Sequence, residues 1–325
     1  MKNYNNFYNS NSRDLESRLG QGEGQGQGQQ EQQEEHGNSF QFEVEKRATL
    51  VGFLNEDIGT GDITSNLLIP EETISKGTIV CKNTGKNIIV SGLSEAKIIF
   101  DICGCEATLL IDDGSKIARG TDVLAVEGSS RSILKGERTA LNLLMRMSGI
   151  STQTNQFIEK LGELSKTVRI SSTRKTVPGL RYFDKKAVVI GGGISHRVRL
   201  DQLILIKDNH IAVVGSVKKA IEKAKSVYGN KRKIECEVND FNGIVEAIKS
   251  GADIVMLDNF KPEEVKESLN RIRKLGLRNK IIIEVSGGIN LDNIYKYAAA
   301  KPDVISIGSL THSVQAIDFS LEIPR

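Results

Sequence analysis

The stretch KIECEVNDFNGIVEAIKSGADIVMLDNF, from Lys233 to Phe260, decides the fold because it contains a complete strand, helix and strand. Ile234 to Val238 and Asp253 to Leu257 are short and largely apolar, as expected for strands that are covered on both faces. Between them, Asp240 is a typical N-cap residue ahead of a segment with helical spacing. Such a unit predicts two parallel strands joined by a right-handed crossover.

The same rhythm continues on both sides of this stretch. Further strands are predicted at Thr167 to Ser171, Leu203 to Lys207, Lys280 to Val285 and Asp303 to Ile307. Helices are predicted to start at Ser216, Pro262 and Asn290, which have the chemistry of first-turn or capping residues. With six strands of this kind, closure into an α/β barrel is favoured over an open sheet.

The region before the barrel has a different pattern. Residues 43–54 have helical spacing, whereas 77–90 and 107–127 alternate like strands, with turns at Asp113-Gly114 and Arg119-Gly120. This predicts a small α+β sandwich. The run DDGSKIARGTDVLAVEG resembles the domains that carry biotin or lipoate, but it lacks their lysine motif at a hairpin tip, so we interpret it as ordinary β structure.

The residue pattern therefore indicates the α/β class, with an α/β barrel that follows a small N-terminal sandwich domain. The expected domains are a disordered tail (1–39), the sandwich (40–150), the barrel (151–312) and a C-terminal segment (313–325) that returns to the sandwich. The tail is expected to be disordered because Gly, Gln and Glu make up seventeen of its residues from Gly20 to Ser39, which offers almost no apolar surface.

Composition excludes several classes of protein. A net charge of +3 over 325 residues gives little support to nucleic-acid binding. No apolar run is long enough for a membrane span, and the N-terminus has no apolar signal core, so a cytoplasmic location is expected. Four cysteines are too few for a disulfide scaffold, and we expect reduced thiols.

Positive charge is concentrated between Ser172 and His210. From Arg174 to Lys207 there are eight Lys or Arg residues against two acids. A cluster of this kind, interrupted by Pro178-Gly179 and by a run of three glycines, is typical of a binding site for small polyanions.

Polar residues also follow five successive predicted strands. They are Lys207, Glu237, Asp258, the turn Ser286-Gly287-Gly288, and Gly308. Functional groups of α/β barrels lie at the carboxyl ends of the strands, so these residues are expected on one rim. Two acids on adjacent strands suit magnesium, although they can equally pair with helix caps. The glycine turns suit the approach of a phosphate, although they can equally be tight loops.

The histidines are interpreted separately. His196 lies in the basic segment and is expected to face a ligand, and His312 lies beside the turn at Gly308. His210 can equally stabilise a loop. No Ser, His, Asp order and no reactive-cysteine context is present, which argues against acyl transfer.

Nine motifs occur in an order that resembles the quinolinate phosphoribosyltransferase family. They are EDIGTGDIT (56–64), GERTALNLL (136–144) with SGI from Ser148, TRKTVPGLR (173–181), GGGISHR (191–197), LIKDNH (205–210), ECEV (235–238), DIVMLDNF (253–260), EVSGGI (284–289) and SIGSLTHS (306–313). The resemblance covers about residues 45–325.

The resemblance implies a type II phosphoribosyltransferase-like fold, in which an N-terminal α/β sandwich domain is joined to an incomplete α/β barrel. It also implies an activity: phosphoribose passes from phosphoribosyl pyrophosphate to the nitrogen of quinolinate, and pyrophosphate and carbon dioxide leave. Nicotinate mononucleotide, a precursor of NAD, is the product. Mg²⁺ is the implied cofactor, and a homodimer, or a hexamer built from dimers, is the implied assembly.

The resemblance also implies roles for individual residues. Quinolinate binding falls to Arg174, His196, Arg197, Lys207 and, from a partner subunit, Arg138. Binding of phosphoribosyl pyrophosphate falls to Lys175, Thr176, Glu237, Asp258, Ser286, Gly287, Gly288, Gly308 and His312. Lys175, Glu237 and Asp258 are the catalytic candidates, and the two acids are also the expected magnesium ligands, directly or through water.

The chain departs from the family pattern at Ser172, where members often have Asp, and at Ser195, where many have Asn. Three alternatives stay open. One is a molybdenum-associated pyrophosphorylase-like relative, against which LIKDNH and EVSGGI argue. The second is a transferase for a monocarboxylate such as nicotinate, which would leave buried cations unpaired. The third is a non-catalytic ligand sensor, against which the intact Lys175, Glu237 and Asp258 argue.

Overall fold

The computed structural model of the chain describes residues 45–85 and 87–324. The Gly, Gln and Glu tail, with its expected disorder, lies outside them. The described residues belong to two compact units, one of residues 153–314 and one of residues 45–152 with 315–324.

The unit that contains the N-terminal part is an α/β sandwich. Its elements are α1 (45–58), α2 (Ile63–Leu68), β1 (Ile74–Cys81), β2 (Ile88–Ile89), α3 (Leu93–Ile102), β3 (Glu106–Leu109), β4 (Lys116–Ile117), β5 (Asp122–Ser129), the 32-residue helix α4 (Ser130–Leu161) up to Thr152, and the final strand of the chain (Phe319–Glu322). Four of the strands form one sheet, in which the final strand pairs antiparallel with β1, β1 with β5, and β5 with β3. Helix α3 packs against β3 and β5.

The other unit has the predicted alternation of strands and helices. After the end of α4 it contains β6 (Arg169–Ser171), α5 (Arg181–Ile190), β7 (Ile204–Ile206), α6 (Asp208–Val214), α7 (Val217–Tyr228), β8 (Ile234–Val238), α8 (Phe241–Ser250), β9 (Ile254–Asp258), α9 (Pro262–Lys274), β10 (Ile282–Ser286), α10 (Ile294–Ala298), β11 (Val304–Ser306) and α11 (Ser309–His312). The final strand of the chain is β12. All six strands predicted here are present, with ends displaced by at most two residues.

The six strands form one parallel sheet in the order β6-β11-β10-β9-β8-β7. Among the described residues the edge strands β6 and β7 do not pair with each other, so the barrel is incomplete. This confirms the fold class. Because all six strands are parallel, their carboxyl ends share one rim.

Local capping explains why the helices begin where they do. The Asp240 side chain accepts a hydrogen bond from Gly243 N at 2.7 Å, and Ser216 accepts one from Lys219 N at 3.2 Å. Pro262 occupies the first turn of α9, as predicted. Asn290 does not begin a helix: its side chain accepts from Asp292 N and Asn293 N in a turn, and α10 starts at Ile294.

Within the part of the chain that the structure describes, no helix has both the length and the apolar character that crossing a membrane requires.

Candidate active site

Lys207 and Glu237 form an ion pair at the carboxyl ends of neighbouring strands. The Lys207 Nζ donates to Glu237 Oε2 at 2.6 Å. The Glu237 side chain is 9% exposed, whereas that of Lys207 is 45% exposed. The pair is therefore buried at one end and open to solvent at the other, where a ligand can compete for the ammonium group.

Asp258, at the end of β9, lies close enough to Glu237 to feel its charge. Burial raises the pKa of Asp258, the charge of Glu237 raises it further, and Lys207 and Lys175 lower it. The structure thus brings together the two predicted acids and two of the predicted lysines. The cluster has charges of both signs, as a site for a charged sugar phosphate requires.

Asn259 orients Asp258 and explains the glycine that faces it. The Asn259 Nδ2 donates to Asp258 Oδ2 at 2.7 Å. A Cβ on Gly287 would lie 2.2 Å from Asn259 Oδ1, and Gly287 has a φ of +102°. Gly287 is therefore required for packing against Asn259. Gly288 is exposed, with no atom within 4 Å of a Cβ placed on it.

Lys175, Gly308 and His312 lie next to one another. A Cβ on Gly308 would be 3.2 Å from Lys175 Cδ and 3.2 Å from the Nε2 atom of His312. The Thr311 hydroxyl donates to the Lys175 carbonyl at 2.9 Å, which fixes this approach. The open backbone at Gly308 thus faces a lysine and a histidine, a combination that suits a phosphate.

Thr176 and Ser286 complete the residues predicted for the sugar phosphate. The Thr176 Oγ1 accepts a hydrogen bond from Arg181 Nε at 3.1 Å, so its hydroxyl proton is available to another acceptor. Ser286 is half-buried at the end of β10, paired in register with Asp258. The register therefore places a hydroxyl beside the Asp258 carboxylate position.

Two arginines are held near each other, and one has a donor without an acceptor. Within the described residues, the Arg174 Nε is buried and has no hydrogen-bond partner. Burial lowers the pKa of Arg197, and the positive charge of Arg174 lowers it further. One terminal nitrogen of Arg197 donates to the Leu203 carbonyl at 3.0 Å. Two mutually repelling guanidinium groups, one with a buried free donor, fit an anion between them.

His196 is buried inside the barrel unit, with 9% of its surface exposed. Its Nε2 atom lies 3.1 Å from Glu235 Oε2 and 3.4 Å from Glu284 Oε2. Its Nδ1 atom accepts the Arg197 backbone N–H at 2.7 Å. Burial lowers the pKa of His196, but the charges of Glu284 and Glu235 outweigh it and raise the pKa to about 10. Both ring nitrogens of this predicted ligand residue thus face groups of the protein itself.

The two departures from the family pattern lie directly behind His196. The Ser172 hydroxyl donates to the Ser195 carbonyl at 2.9 Å, and the buried Lys185 Nζ donates to the same oxygen. The Ser195 hydroxyl donates to the His196 carbonyl at 3.1 Å.

The run of three glycines, Gly191 to Gly193, follows the end of α5, and a Cβ on Gly193 would lie 2.8 Å from Val188 Cγ1. Its role is therefore close packing.

Arg138, predicted to act from a partner subunit, lies in the sandwich unit. It is an exposed residue on α4.

Sequence reasoning missed Glu235, Glu284, Lys185 and Asn259. A signal existed for the two acids, since each stands inside a run whose other residues are mostly apolar, and an ionised group in a buried strand needs a partner. For Lys185 and Asn259 the sequence gave no comparable signal, because both lie in ordinary polar surroundings along the chain.

Two family models match this chain. Quinolinate phosphoribosyl transferase, N-terminal domain, matches residues 62–148, and the C-terminal domain of the same name matches residues 150–322. Together they cover most of the described residues.

Individual proteins match over nearly their full length. A probable nicotinate-nucleotide pyrophosphorylase (carboxylating) of Methanocaldococcus jannaschii is 49% identical over 274 residues, which are 84% of this chain and 95% of that protein. The nicotinate-nucleotide pyrophosphorylase (carboxylating) of Homo sapiens is 35% identical over 249 residues, 77% of this chain and 82% of its own length. The crystal structure of NadC from Streptococcus pyogenes has a TM-score of 0.78 and 34% identity, with 87% of this chain and 98% of that chain covered.

Proposed function

The chain belongs to the quinolinate phosphoribosyltransferase family, and from that premise we propose that it is a carboxylating nicotinate-nucleotide pyrophosphorylase. It transfers phosphoribose from phosphoribosyl pyrophosphate to quinolinate and releases pyrophosphate and carbon dioxide. The product, nicotinate mononucleotide, leads to NAD. The enzyme is a pentosyltransferase with small-molecule substrates.

The observation that carries this function is the buried, unpartnered Nε of Arg174 beside Arg197, within the described residues. Holding two guanidinium groups together is unfavourable unless an anion joins them. A planar guanidinium matches a carboxylate in a bidentate manner, so two arginines suit a dicarboxylate. Arg174, His196, Arg197 and Lys207 form the proposed quinolinate cradle.

The remaining polar groups of the rim are proposed to bind phosphoribosyl pyrophosphate. Lys175, Gly308 and His312 lie together, which supports a phosphate position there. Thr176 and the turn Ser286-Gly287-Gly288 are assigned to the same substrate.

Magnesium is proposed as the cofactor, held by Glu237 and Asp258 directly or through water. The acids fit this ion, because the pKa of Asp258 is raised by burial and then by the charge of Glu237, and two such carboxylates gain from a shared divalent cation. When bound, the ion would neutralise part of the charge that develops on pyrophosphate.

The residues of the site suit both chemical steps. The lone pair of the pyridine nitrogen forms a bond to the anomeric carbon while the bond to pyrophosphate breaks, so positive charge develops on the ribose. Glu237 and Asp258 would stabilise that charge, and Lys175 would stabilise the leaving group. The bond between the ring and the adjacent carboxylate then breaks, and carbon dioxide leaves. The electron pair of that bond stays on the ring carbon beside N⁺, where it takes up a proton from solvent. No general base is needed, because the attacking nitrogen carries no proton.

Assembly and location are also proposals. Arg138 is assigned to the active site of a partner subunit in a homodimer, or in a hexamer of dimers, and its exposure on α4 is compatible with this. A cytoplasmic location is supported by four free thiols at Cys81, Cys103, Cys105 and Cys236, which suit a reducing compartment.

The test is an assay of carbon dioxide release with quinolinate, phosphoribosyl pyrophosphate and magnesium. We expect stoichiometric carbon dioxide and nicotinate mononucleotide. Nicotinate serves as the competing substrate. Turnover of nicotinate without turnover of quinolinate would refute the substrate assignment, and binding without any turnover would favour a ligand sensor.

A further inference from the structure

Two fully buried carboxylates inside the barrel have no role in the reaction described above. Glu235 and Glu284 both have 0% exposure. Together with His196 they form a group in which one nitrogen or oxygen atom from each side chain lies within 4.8 Å of the other two. Burial of an ionised carboxylate costs several kcal/mol, and apolar residues of similar volume often stabilise a fold equally well or better. Stability alone therefore does not account for them.

The contact of these acids with His196 crosses the interior of the incomplete barrel. Ile194, two residues before His196, forms an isolated parallel bridge with Ser171 of the edge strand β6. Glu235 lies on β8 and Glu284 on β10, and neither of these strands is a direct neighbour of β6 in the sheet. The triad therefore connects the basic segment, through His196, with the strands that carry Glu237 and Ser286.

The orientation of the imidazole is fixed from both sides. Nδ1 accepts the Arg197 N–H, so the proton of a neutral ring lies on Nε2, the atom that faces both carboxylates. Protonation of the ring would add a proton at Nδ1 and break the hydrogen bond from the Arg197 N–H, so this contact favours the neutral ring, whereas the charges of Glu284 and Glu235 favour the protonated ring and raise its pKa. Ser306 donates to Glu284 Oε1 at 2.5 Å and holds that carboxylate in turn.

The backbone at His196 is strained, and the strain lies next to a substrate-binding side chain. His196 has a φ of +52°, in the left-handed region that side chains with a Cβ seldom adopt. Such a conformation costs of the order of 1 kcal/mol and persists only when the surroundings enforce it. Arg197 is the next residue, so a change in the His196 conformation would redirect its guanidinium group.

We propose that Glu235 and Glu284 are positioning residues, which hold the His196 ring across the barrel and thereby aim Arg197, the next residue, at the dicarboxylate. This inference rests on the proposed function, because it names the residues that shape the quinolinate cradle. Glu235 is the better residue to test, since its oxygens face His196 and have no other hydrogen-bond partner among the described residues.

The test compares Glu235→Leu with Glu235→Gln. Leucine keeps the volume and removes the acceptor, whereas glutamine keeps an oxygen for His196. We expect Glu235→Leu to raise the quinolinate KM and the calorimetric Kd about tenfold, which corresponds to about 1.4 kcal/mol, with the phosphoribosyl pyrophosphate KM changed less than about twofold. Glu235→Gln should restore quinolinate binding to within about threefold of the wild type.

Met256→Leu is the matched control. Met256 is paired in register with both Glu237 and Glu284 and is 7% exposed, so this variant changes shape without charge in the layer that contains Glu284. We expect both KM values to change less than about twofold.

A double-mutant cycle with His196→Ala separates positioning from general packing. If Glu235 acts through His196, Glu235→Leu should change the quinolinate Kd less than about threefold when His196 is absent. Additive effects, or an equal rise in both KM values with a lower melting temperature, would overturn the proposal. A stoichiometric metal ion that is detected in the wild type and is absent from His196→Ala would also overturn the proposal. Wild-type turnover is measured in parallel, since its absence would refute the proposed function rather than this inference.

Discussion

Arg174 is the residue whose chemistry is least replaceable in the proposed cradle. Its buried Nε has no acceptor among the described residues, so the guanidinium must find its partner in a ligand. We expect Arg174→Lys to raise the quinolinate KM about 10- to 100-fold, because an ammonium group keeps the charge but loses the bidentate geometry. Steady-state kinetics with each substrate varied in turn will measure this.

The matched control is Arg232→Lys. Arg232 is exposed and precedes β8, at the end of the strand opposite to Glu237. Arg232→Lys should leave both KM values within about twofold of those of the wild type, because an exposed side chain far from the rim contributes little to substrate binding. Equal effects of the two substitutions would mean that Arg174 does not contact quinolinate.

Lys185 predicts how stability depends on pH. The pKa of Lys185 is lowered from 10.5 to about 7, first by burial and then by the positive charge of Arg181. Between these pH values the unfolded chain binds one proton more than the folded protein, so this group makes stability rise with pH. Below about pH 7 the folded protein bears the full cost of the buried ammonium. The stability of Lys185→Met relative to the wild type should therefore be higher at pH 6 than at pH 9.5.

Thermal melting of both proteins at the two pH values measures this difference. The Ser195 carbonyl keeps the hydrogen bond from Ser172 in the variant, which limits other effects. Lys219→Met is the control, since Lys219 is exposed on α7. If the melting temperatures of Lys185→Met and the wild type differ by the same amount at both pH values, the pKa of Lys185 is not lowered in the folded protein.

The same arrangement of an acid, a backbone N–H and a basic side chain occurs at the amino ends of two barrel strands. Asp253 precedes β9 and accepts from Ile234 N at 2.8 Å, while Lys233 pairs with it at 3.0 Å. Asp303 precedes β11 and accepts from Ile283 N at 2.7 Å, while Arg278 pairs with it at 2.8 Å. Each acid joins its own strand to a neighbour, on the rim that serves stability.

Asp303→Ala should lower the free energy of unfolding by about 1.5–3 kcal/mol, because a charged acceptor shared by two donors is lost. Both KM values should stay within about twofold. Denaturant unfolding and kinetics on the same preparation will show whether the two rims are separate. Asp57→Ala, at an exposed position on α1, should change stability by less than about 0.5 kcal/mol. A large KM change in Asp303→Ala would mean that the amino-terminal rim also shapes the site.

The strands of the barrel could be predicted from the sequence, whereas the contacts between distant strands could not. The strands of the barrel could be predicted because apolar runs such as Ile234 to Val238 alternate with helices that carry local start signals. The rim residues Lys207, Glu237 and Asp258 followed from strand ends. The His196 triad could not be predicted, because its members lie on β8, on β10 and beside β6, and only the folded sheet brings them together. The long helix α4 was missed because its 32 residues lie across the expected domain boundary at 150.

At the scale of the whole molecule, the chain distributes its proposed substrate-binding residues over both compact units. Arg174, Arg197 and Lys207 belong to residues 153–314, whereas Arg138 belongs to the unit of residues 45–152 with 315–324. If Arg138 serves a partner subunit, a single chain is incomplete, and activity should require association. Activity per subunit should then fall on dilution, in step with the dimer fraction measured by sedimentation.

Mixed dimers of two inactive variants give the sharper prediction. Arg138→Ala and Lys207→Ala should each lose activity alone. In a mixed dimer, the subunit that keeps Lys207 receives Arg138 from its partner, so one of its two sites is intact. Random exchange of equal amounts makes about half of the dimers mixed, and about a quarter of the wild-type activity should return. If subunit exchange is demonstrated by mass and no activity returns, Arg138 acts within its own chain.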